Sequence, residues 1–253
     1  MDFTLDRYKE LIQSLVHQKY NFQTFEEFLK SPNTNGVVLR HDIDLLPQNS
    51  LHFAKIQAGK GIKGSYYFRA VPESWDENII KEIADLGHEV GYHYENMDTE
   101  NGDINKAWDD FRYHLDKLRK LVEVKTICMH GSPRSKFDNK EIWKKYDYRS
   151  LDIMGEPYFD IDFDSVFYLT DTGRRWDGWK TSVRDKVPQQ EEWIKRSLVY
   201  HSTDDIIRAV EENRLPNQIM FTFHPQRWHD KMFPWVKELV LQNIKNQIKK
   251  RLM

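Results

Sequence analysis

The chain of 253 residues contains a single cysteine, Cys128, so it cannot form an internal disulfide. It has no apolar run near the roughly 18 residues that a membrane-spanning helix requires. Positive and negative charges nearly balance, with a formal net charge of −2, so the basic stripe that nucleic-acid binding needs is missing. We therefore expect no disulfide scaffold, no membrane span and no nucleic-acid partner.

The first residues of the chain lack a basic segment followed by an apolar one, which is the pattern of a secretory signal. We therefore expect a cytoplasmic protein. The C-terminal segment 235–251 is helical and rich in lysine, so it could touch an anionic surface, although a solvated helix with basic residues near its negative end is the favoured interpretation. No sequence pattern indicates an oligomeric state.

Apolar runs typical of buried strands alternate with amphipathic segments along the chain. Strands are predicted at residues 37–40, 65–69, 89–92, 124–129, 148–153, 166–170 and 218–223, and helices at 50–60, 77–86, 104–121, 139–145, 203–212 and 235–251. This alternation predicts α/β architecture, with a parallel sheet covered by helices. With about seven parallel strands, we expect a distorted (β/α) barrel in one domain over residues 1–253, with the helices of residues 1–35 packed on it.

Four of these strands end in polar side chains, namely Asp42 and Asp44, His93 and Glu95, His130, and His224. Because the C-terminal ends of barrel strands share one face, we expect these side chains to meet there. Any one of them is more often structural, and residues 41–44 could also be a solvated loop that caps a helix. The coincidence of four strand ends favours a site.

Carboxylate and imidazole groups without a cysteine pair suit a divalent ion, most readily Zn²⁺, with an open coordination position. Such an ion lowers the pKa of a bound water and polarises a carbonyl. A carboxylate outside the ligand set could take the proton of that water, and a histidine could protonate the leaving group. The residues therefore predict hydrolysis of an amide or an ester.

Four motifs, in order, resemble those of the NodB-homology polysaccharide deacetylases, also called carbohydrate esterase family four. They are Arg-His-Asp-Ile-Asp at 40–44, Leu-Gly-His-Glu-Val-Gly-Tyr-His at 86–93, Met-His-Gly-Ser-Pro at 129–133 and Thr-Phe-His-Pro-Gln-Arg-Trp at 222–228. The first and last resemble a branch associated with surface-polysaccharide gene clusters. The resemblance implies a metal-dependent hydrolase that removes acetyl groups from an acetylated sugar or a surface-polysaccharide precursor.

The resemblance also implies roles for single residues. Asp42 matches the general base of the family, Asp44 and His93 match two metal ligands, and His224 matches the general acid. We expect His41 to support the site by a hydrogen bond to a ligand.

One position departs from the family pattern, because the second histidine ligand is replaced by Met97. We expect His130 to supply the third ligand, with Glu95 or Asp98 as alternatives, or the metal to be absent. Arg134 stands near the position of the family's arginine.

Substrate contacts are predicted for five side chains: Tyr94, Glu95, Asp171, Arg227 and Trp228. Arg227 and Trp228 could bind an acidic sugar and stack on its ring, or they could close the barrel. Asp171 is also the expected carboxylate that orients His224. Two alternative functions follow from the departure at Met97 and from the chemistry of the ligands. They are a non-catalytic carbohydrate-binding protein on a deacetylase fold, and a metal-dependent hydrolase of another C–N bond.

Overall fold

The computed structural model of the chain describes residues 1–132, 135–178, 182 and 187–252, with side chains up to residue 248. Within these residues the strands are β1 (Asn21–Gln23), β2 (Gly36–Ile43), β3 (Ser65–Phe68), β4 (Glu89–Tyr94), β5 (Ile127–Met129), β6 (Phe167–Thr170) and β7 (Ile219–Phe223). The helices are α1 (Leu5–His17), α2 (Phe25–Lys30), α3 (Pro47–Ala58), α4 (Glu77–Asp85), α5 (Asn96–Thr99), α6 (Ile104–Arg119), α7 (Pro157–Asp160), α8 (Gln190–Lys195), α9 (Thr203–Glu211) and α10 (Met232–Leu252). In the described part of the chain, no helix combines the length and apolarity needed to cross a bilayer.

The strands form one parallel sheet in the order β5-β4-β3-β2-β7-β6. β1 pairs with the first residues of β2, and β3 pairs with the last ones. The sheet curls into a half-barrel with helices around it, and β5 and β6 are its edges among the described residues. The predicted fold, a distorted (β/α) barrel with about seven parallel strands, is therefore confirmed.

β2 is the centre of the sheet, and all eight of its residues are buried. Its apolar first half is explained by this burial, because a parallel strand covered on both faces reads as a continuous apolar run. The strand continues to Ile43, three residues beyond the predicted end at Arg40. The charged residues of this extension are tolerated because Arg40 and Asp42 neutralise each other through two hydrogen bonds.

Alternation along β2 separates its polar side chains onto two faces of the sheet. Arg40 and Asp42 point into the barrel, whereas His41 points to the helix layer, where its ring stacks on Tyr66 at 4.1 Å. His41 Nε2 lies 2.9 Å from Nε2 of Gln57 in α3. Burial lowers the pKa of His41 to about 3, so the ring is neutral. His41 therefore joins the sheet to the helix layer and does not support a ligand as expected.

Gly91 of β4 lies beside Tyr67 of β3 on the interior face. A Cβ atom at position 91 would come within 2.4 Å of the Tyr67 ring, so no larger residue fits without a shift. The Tyr67 hydroxyl is hydrogen-bonded to Thr126 at 2.9 Å. This glycine of the second sequence motif therefore makes room for a side chain that fills the barrel below the site.

One predicted strand is replaced by another structure, and one observed strand was not predicted. Residues 148–153, predicted as a strand, contain the 3-10 helix Tyr148–Leu151, because Asp147 caps its start and Asp152 ends it in the left-handed conformation. The three-residue strand β1 was not predicted, since it is too short to show an alternating pattern. The capping box of Thr24 and Glu27 that precedes the short helix α2 is present.

Candidate active site

The C-terminal ends of β2, β4 and β5 bring three ligand-type side chains together. Oδ1 of Asp44 lies 3.7 Å from Nε2 of His93 and 3.6 Å from Nε2 of His130. Two ligands bound to one tetrahedral Zn²⁺ are separated by about 3.4 Å, so Asp44 could share one divalent ion with either imidazole. The three ligand atoms together are spread more widely than those of Asp42, His93 and Cys128, which all lie within 4.8 Å of one another. Oδ1 of Asp44 is also buried without a hydrogen-bond partner. A buried carboxylate oxygen is costly unless a cation or water pairs with it, so the donor set fits a metal.

His93 is held in the orientation that a metal ligand needs. Its Nδ1 lies 2.9 Å from the carbonyl oxygen of Cys128 on the neighbouring strand β5. A carbonyl can only accept, so the proton is on Nδ1 and the lone pair is on Nε2. Nε2 is the atom that faces Asp44.

The carboxylate of Glu95 supports His130, as the carbonyl of Cys128 supports His93. Oε2 of Glu95 lies 2.8 Å from Nδ1 of His130, which is an ion-pair distance. The angle of this contact is not that of a hydrogen bond. Arg69 donates to both oxygens of Glu95, at 3.0 and 2.8 Å, and to the carbonyl oxygen of Asp44 at 3.0 Å. Burial would raise the pKa of Glu95, but His130 and Arg69 lower it to about 2. Arg69 therefore fixes the partner of one candidate ligand and the backbone of another.

Asp44 is an anion in this environment. Burial by itself raises the pKa of this carboxyl, but the imidazoles of His93, His130 and His224 hold it well below its usual value. Its other oxygen, Oδ2, accepts a hydrogen bond from Nε2 of Gln226 at 2.9 Å. Gln226 therefore leaves Oδ1 as the free ligand atom.

Asp42 lies beside this group without joining it. Its two oxygens accept from Nε and Nη2 of Arg40 at 2.8 and 2.6 Å, and Oδ2 is 3.8 Å from Nε2 of His93. Burial raises the pKa of Asp42, but Arg40 more than offsets this and lowers it overall. Ligand atoms of Asp42, His93 and Cys128 also lie within 4.8 Å of one another. A cation there would sit beside the Arg40 guanidinium, so the Asp44 group is the better metal site.

The side chain of Glu156 is fully buried, close enough to Arg40 for their charges to interact. Its oxygens accept from the backbone N–H groups of Met129 at 3.0 Å and of Tyr158 at 2.6 Å. Burial, opposed in part by these bonds and by Arg40, raises the pKa of Glu156 to about 7. Sequence reasoning missed this residue because it lies in the irregular segment after residue 147.

We expect Glu156→Gln to change the pH dependence of stability. The folded protein keeps a proton on Glu156 between its usual pKa of 4.5 and about 7, so the wild type loses stability as pH rises through that window. Glutamine resembles the protonated side chain and does not ionise. Urea unfolding with chelator present measures the free energy of unfolding. Between about pH 5 and about pH 8 this free energy should rise for E156Q relative to the wild type, by about 3 kcal/mol at most. Glu141→Gln, which changes a partly exposed carboxylate, is the control, and an equal pH profile for E156Q and wild type would contradict the expectation.

His224, at the end of β7, is oriented by the fully buried Asp171. Its Nδ1 donates to Oδ1 of Asp171 at 2.6 Å, and its backbone N–H donates to Oδ2 at 3.0 Å. Nη1 of Arg227 and Nε1 of Trp228 also donate to this carboxylate, at 2.9 and 2.7 Å. Burial and Arg227 lower the pKa of His224, but Asp171 more than offsets both, so the pKa lies above its usual value. His224 is therefore suited to hold a proton at neutral pH.

The residues predicted to contact substrate lie mainly behind the site. Asp171, Tyr94 and Trp228 have at most 1% of their surface exposed, so direct contact with a ligand is not available to them in this structure. Tyr94 occupies the alternate face of β4 and accepts a hydrogen bond from Nε1 of Trp143 at 2.8 Å in the helix layer. Trp228 packs in an aromatic cluster with Phe3, Tyr8, Phe53, Trp176 and Phe223. Glu95 and Arg227 are also mostly buried, and each is engaged by the contacts described above.

The sequence also singled out Met97 and Asp98, and both lie on α5. Met97 is buried on α5 among core residues. Asp98 accepts from Nδ2 of Asn139 at 3.3 Å, and Arg134 lies outside the described residues. Arg69 was missed, although it is the last residue of the predicted strand 65–69 and directly follows β3 in the structure.

Comparisons with known proteins give distant structural similarity. No family model matches the chain, and no curated protein matches it. Similar solved structures include wild-type BA3943 from Bacillus anthracis, described as a CE4 family pseudoenzyme, with 15% identity, a TM-score of 0.44, and coverage of 86% of this chain and 62% of that one. The chain thus spans less than two thirds of that protein.

Two further structures are similar at the same level. PdaA from Bacillus subtilis, described as a family 4 carbohydrate esterase, has 11% identity and a TM-score of 0.41, with 93% of this chain and 83% of that chain covered. The Bc1960 peptidoglycan N-acetylglucosamine deacetylase has 15% identity and a TM-score of 0.40, with 86% and 84% covered. At these values the likeness assigns no residue role and no activity to this chain.

Proposed function

We propose that the protein is a metal-dependent hydrolase that removes an acetyl group from an acetylated sugar or a surface-polysaccharide precursor. The observation that carries the proposal is the buried, unpaired Oδ1 of Asp44 with Nε2 of His93 and of His130 at 3.7 and 3.6 Å. His93 lowers the pKa of Asp42, and His224 lowers the pKa of Asp44. Asp42 and His224 are therefore close enough to the candidate ligands for their charges to interact. A base, an acid and a set of ligands therefore share one face of the sheet, which is the minimum that this reaction needs.

Asp44, His93 and His130 would hold the ion through one carboxylate oxygen and two imidazole nitrogens, a donor set that suits Zn²⁺. When bound, the ion supplies a water of lowered pKa and polarises the acetyl carbonyl. Asp42 accepts the proton of the attacking water, since it is ionised, adjacent to His93 and outside the ligand set. Arg40 fixes the position of Asp42 through two hydrogen bonds.

His224 completes the reaction by donating a proton to the leaving nitrogen or oxygen. Its Nδ1 proton is committed to Asp171, so Nε2 carries the proton that is transferred. The Asp171 carboxylate stabilises the imidazolium before transfer. The buried donors Arg227 and Trp228 keep that carboxylate in place.

The test combines metal content with a product screen. Protein stripped by a chelator and reconstituted with Zn²⁺ should contain close to one ion per chain by mass spectrometry, and should then release acetate from a panel of acetylated sugars. Failure to take up any divalent ion would overturn the proposal and favour the non-catalytic binding protein. Release of ammonia without acetate would instead identify hydrolysis of another C–N bond.

We expect Arg69→Ala to weaken metal binding although Arg69 is not a ligand. The substitution frees Glu95, which positions His130, and removes the contact with the backbone of Asp44. Loss of such an outer partner typically lowers metal affinity by about 10–100-fold. Competition with a chromophoric chelator measures this change. Arg112→Ala, which removes an exposed arginine paired with Asp109, is the control, and equal affinities for the two variants would contradict the role of Arg69.

A further inference from the structure

Helix α10 buries two polar side chains against the protein and exposes most of its large apolar ones. Gln242 and Asn246 are buried one turn apart, with a hydrogen bond of 3.0 Å from the Nε2 of Gln242 to the Oδ1 of Asn246. Nδ2 of Asn246 donates to the carbonyl oxygen of Gly173 at 2.9 Å. A helix packed on a globular core normally shows the reverse arrangement.

Besides Met232 at its start, the helix exposes six large apolar residues with exposed fractions from 40% to 80%: Phe233, Val236, Val240, Leu241, Ile244 and Ile248. We call these six residues the α10 stripe. Val236, Val240, Ile244 and Ile248 follow one another at intervals of four residues and form a single ridge about 18 Å long. A soluble surface seldom leaves such a continuous apolar ridge uncovered, so the stripe indicates a contact surface.

The charges around the α10 stripe are positive. Lys231, Lys237 and Lys245 are exposed along or just before the helix. Residues 231–253 contain six Lys or Arg and one acidic residue, Glu238, which is half-buried. A second copy of the chain on this face would bring two such basic segments together. An anionic surface with an apolar interior complements both the stripe and the lysines.

The helix is attached at the site end of the barrel. Gly173 and Arg174 follow Asp171 in the loop after β6. Nη1 of Arg174 donates to the carbonyl oxygen of Trp235 at 2.8 Å, and Asn246 bonds to Gly173. A surface that engages α10 therefore lies at the end of the barrel where Asp171 and His224 meet.

We propose that α10 docks the protein on an anionic lipid surface. The α10 stripe enters the boundary between headgroups and acyl chains, and Lys237 and Lys245 contact lipid phosphates. Neither a bound metal nor hydrolysis is needed for this contact. The inference goes beyond the proposed function, and either can fail without the other.

The test is flotation of the full chain with vesicles of phosphatidylcholine mixed with phosphatidylglycerol, and with vesicles of phosphatidylcholine alone. We expect binding to the anionic vesicles and little to the neutral ones. The double variant Val240→Asp, Ile244→Asp should lower the partition coefficient at least about tenfold, because two aliphatic side chains no longer enter the lipid. Lys237→Glu with Lys245→Glu should also lower it about tenfold or more, through the reversed charges.

Tyr113→Ser provides the matched control, since it replaces an exposed aromatic residue on α6 and should leave binding unchanged. The altered positions on α10 are exposed, so thermal unfolding should show that the variants are folded. No binding to anionic vesicles, or equal binding by the Val240–Ile244 double variant and the wild type, would overturn the proposal. A dimer that this double variant dissociates, seen by light scattering without vesicle binding, would overturn it in favour of a second copy.

Discussion

Asp44→Ala is expected to abolish Zn²⁺ binding and, with it, the release of acetate. The substitution removes the buried oxygen that lies between the two imidazole nitrogens, so two neutral ligands remain with no anion. The loss should exceed the roughly 10–100-fold effect that is typical of outer partners. His93→Ala should give the same result, because His93 is also a candidate ligand. Metal content by mass spectrometry and acetate release by a coupled assay measure the two effects.

Controls of the same residue types distinguish loss of a ligand from general damage. Asp109→Ala replaces an exposed aspartate, and His114→Ala replaces a histidine of α6 that pairs with Asp110. Both should retain metal at the level of the wild type. Full metal content in Asp44→Ala and His93→Ala would place the metal elsewhere, and it would exclude the Asp42, His93 and Cys128 group as well, because that group shares His93.

His224→Ala should lower kcat by about 10²–10⁴-fold, the usual contribution of a general acid. In contrast to the ligand variants, it should retain bound metal, because His224 is not among the candidate ligands. Stopped assays with the reconstituted enzyme measure kcat, and mass spectrometry checks the metal. An active His224→Ala enzyme would exclude His224 as the acid, and a metal-free one would make it a ligand.

Asp171→Asn tests the role of the His224 proton through the pH dependence of kcat. Asp171 raises the pKa of His224, so removing its charge lowers that pKa. The acid must be protonated to act, and kcat therefore falls as pH rises through its pKa; in Asp171→Asn this fall should occur at lower pH. Trp228→Phe removes one donor to Asp171 but keeps the negative charge. It should leave the pH profile in place, and a shift equal to that of Asp171→Asn would point to structural disturbance.

The sequence identified the site residues that meet in the structure because each stands at the end of a predicted strand. Asp44, His93 and His130 each follow a short apolar strand, and parallel strands end at one edge, so their proximity follows from chain order alone. The same rule applied to Arg69 would have added it. The family resemblance, and not chain order, suggested Asp171 as the carboxylate that orients His224, and this contact is present.

Other features depend on information that one sequence does not carry. Tyr94 was expected at the site because it follows His93, but neighbouring residues of a strand point to opposite faces. Glu156 lies beside β5 because residue 155 pairs with Thr126 and the Glu156 side chain accepts from the backbone of Met129. The sequence predicts a helix at 235–251 but not which of its sides packs on the protein, which the structure shows through the hydrogen bond of Asn246 with Gly173.

Several donors of one short segment hold the carboxylate of Asp171, as the arms of a multidentate chelator hold one ion. Four N–H groups of the segment 224–228 converge on its two oxygens. The first bond orders a segment of only five residues, so each further bond costs little additional chain entropy. The bonds therefore reinforce one another, and three donors still hold the carboxylate beside His224 when the fourth is lost. Loss of two donors together should consequently disturb the segment by more than the sum of the two single losses.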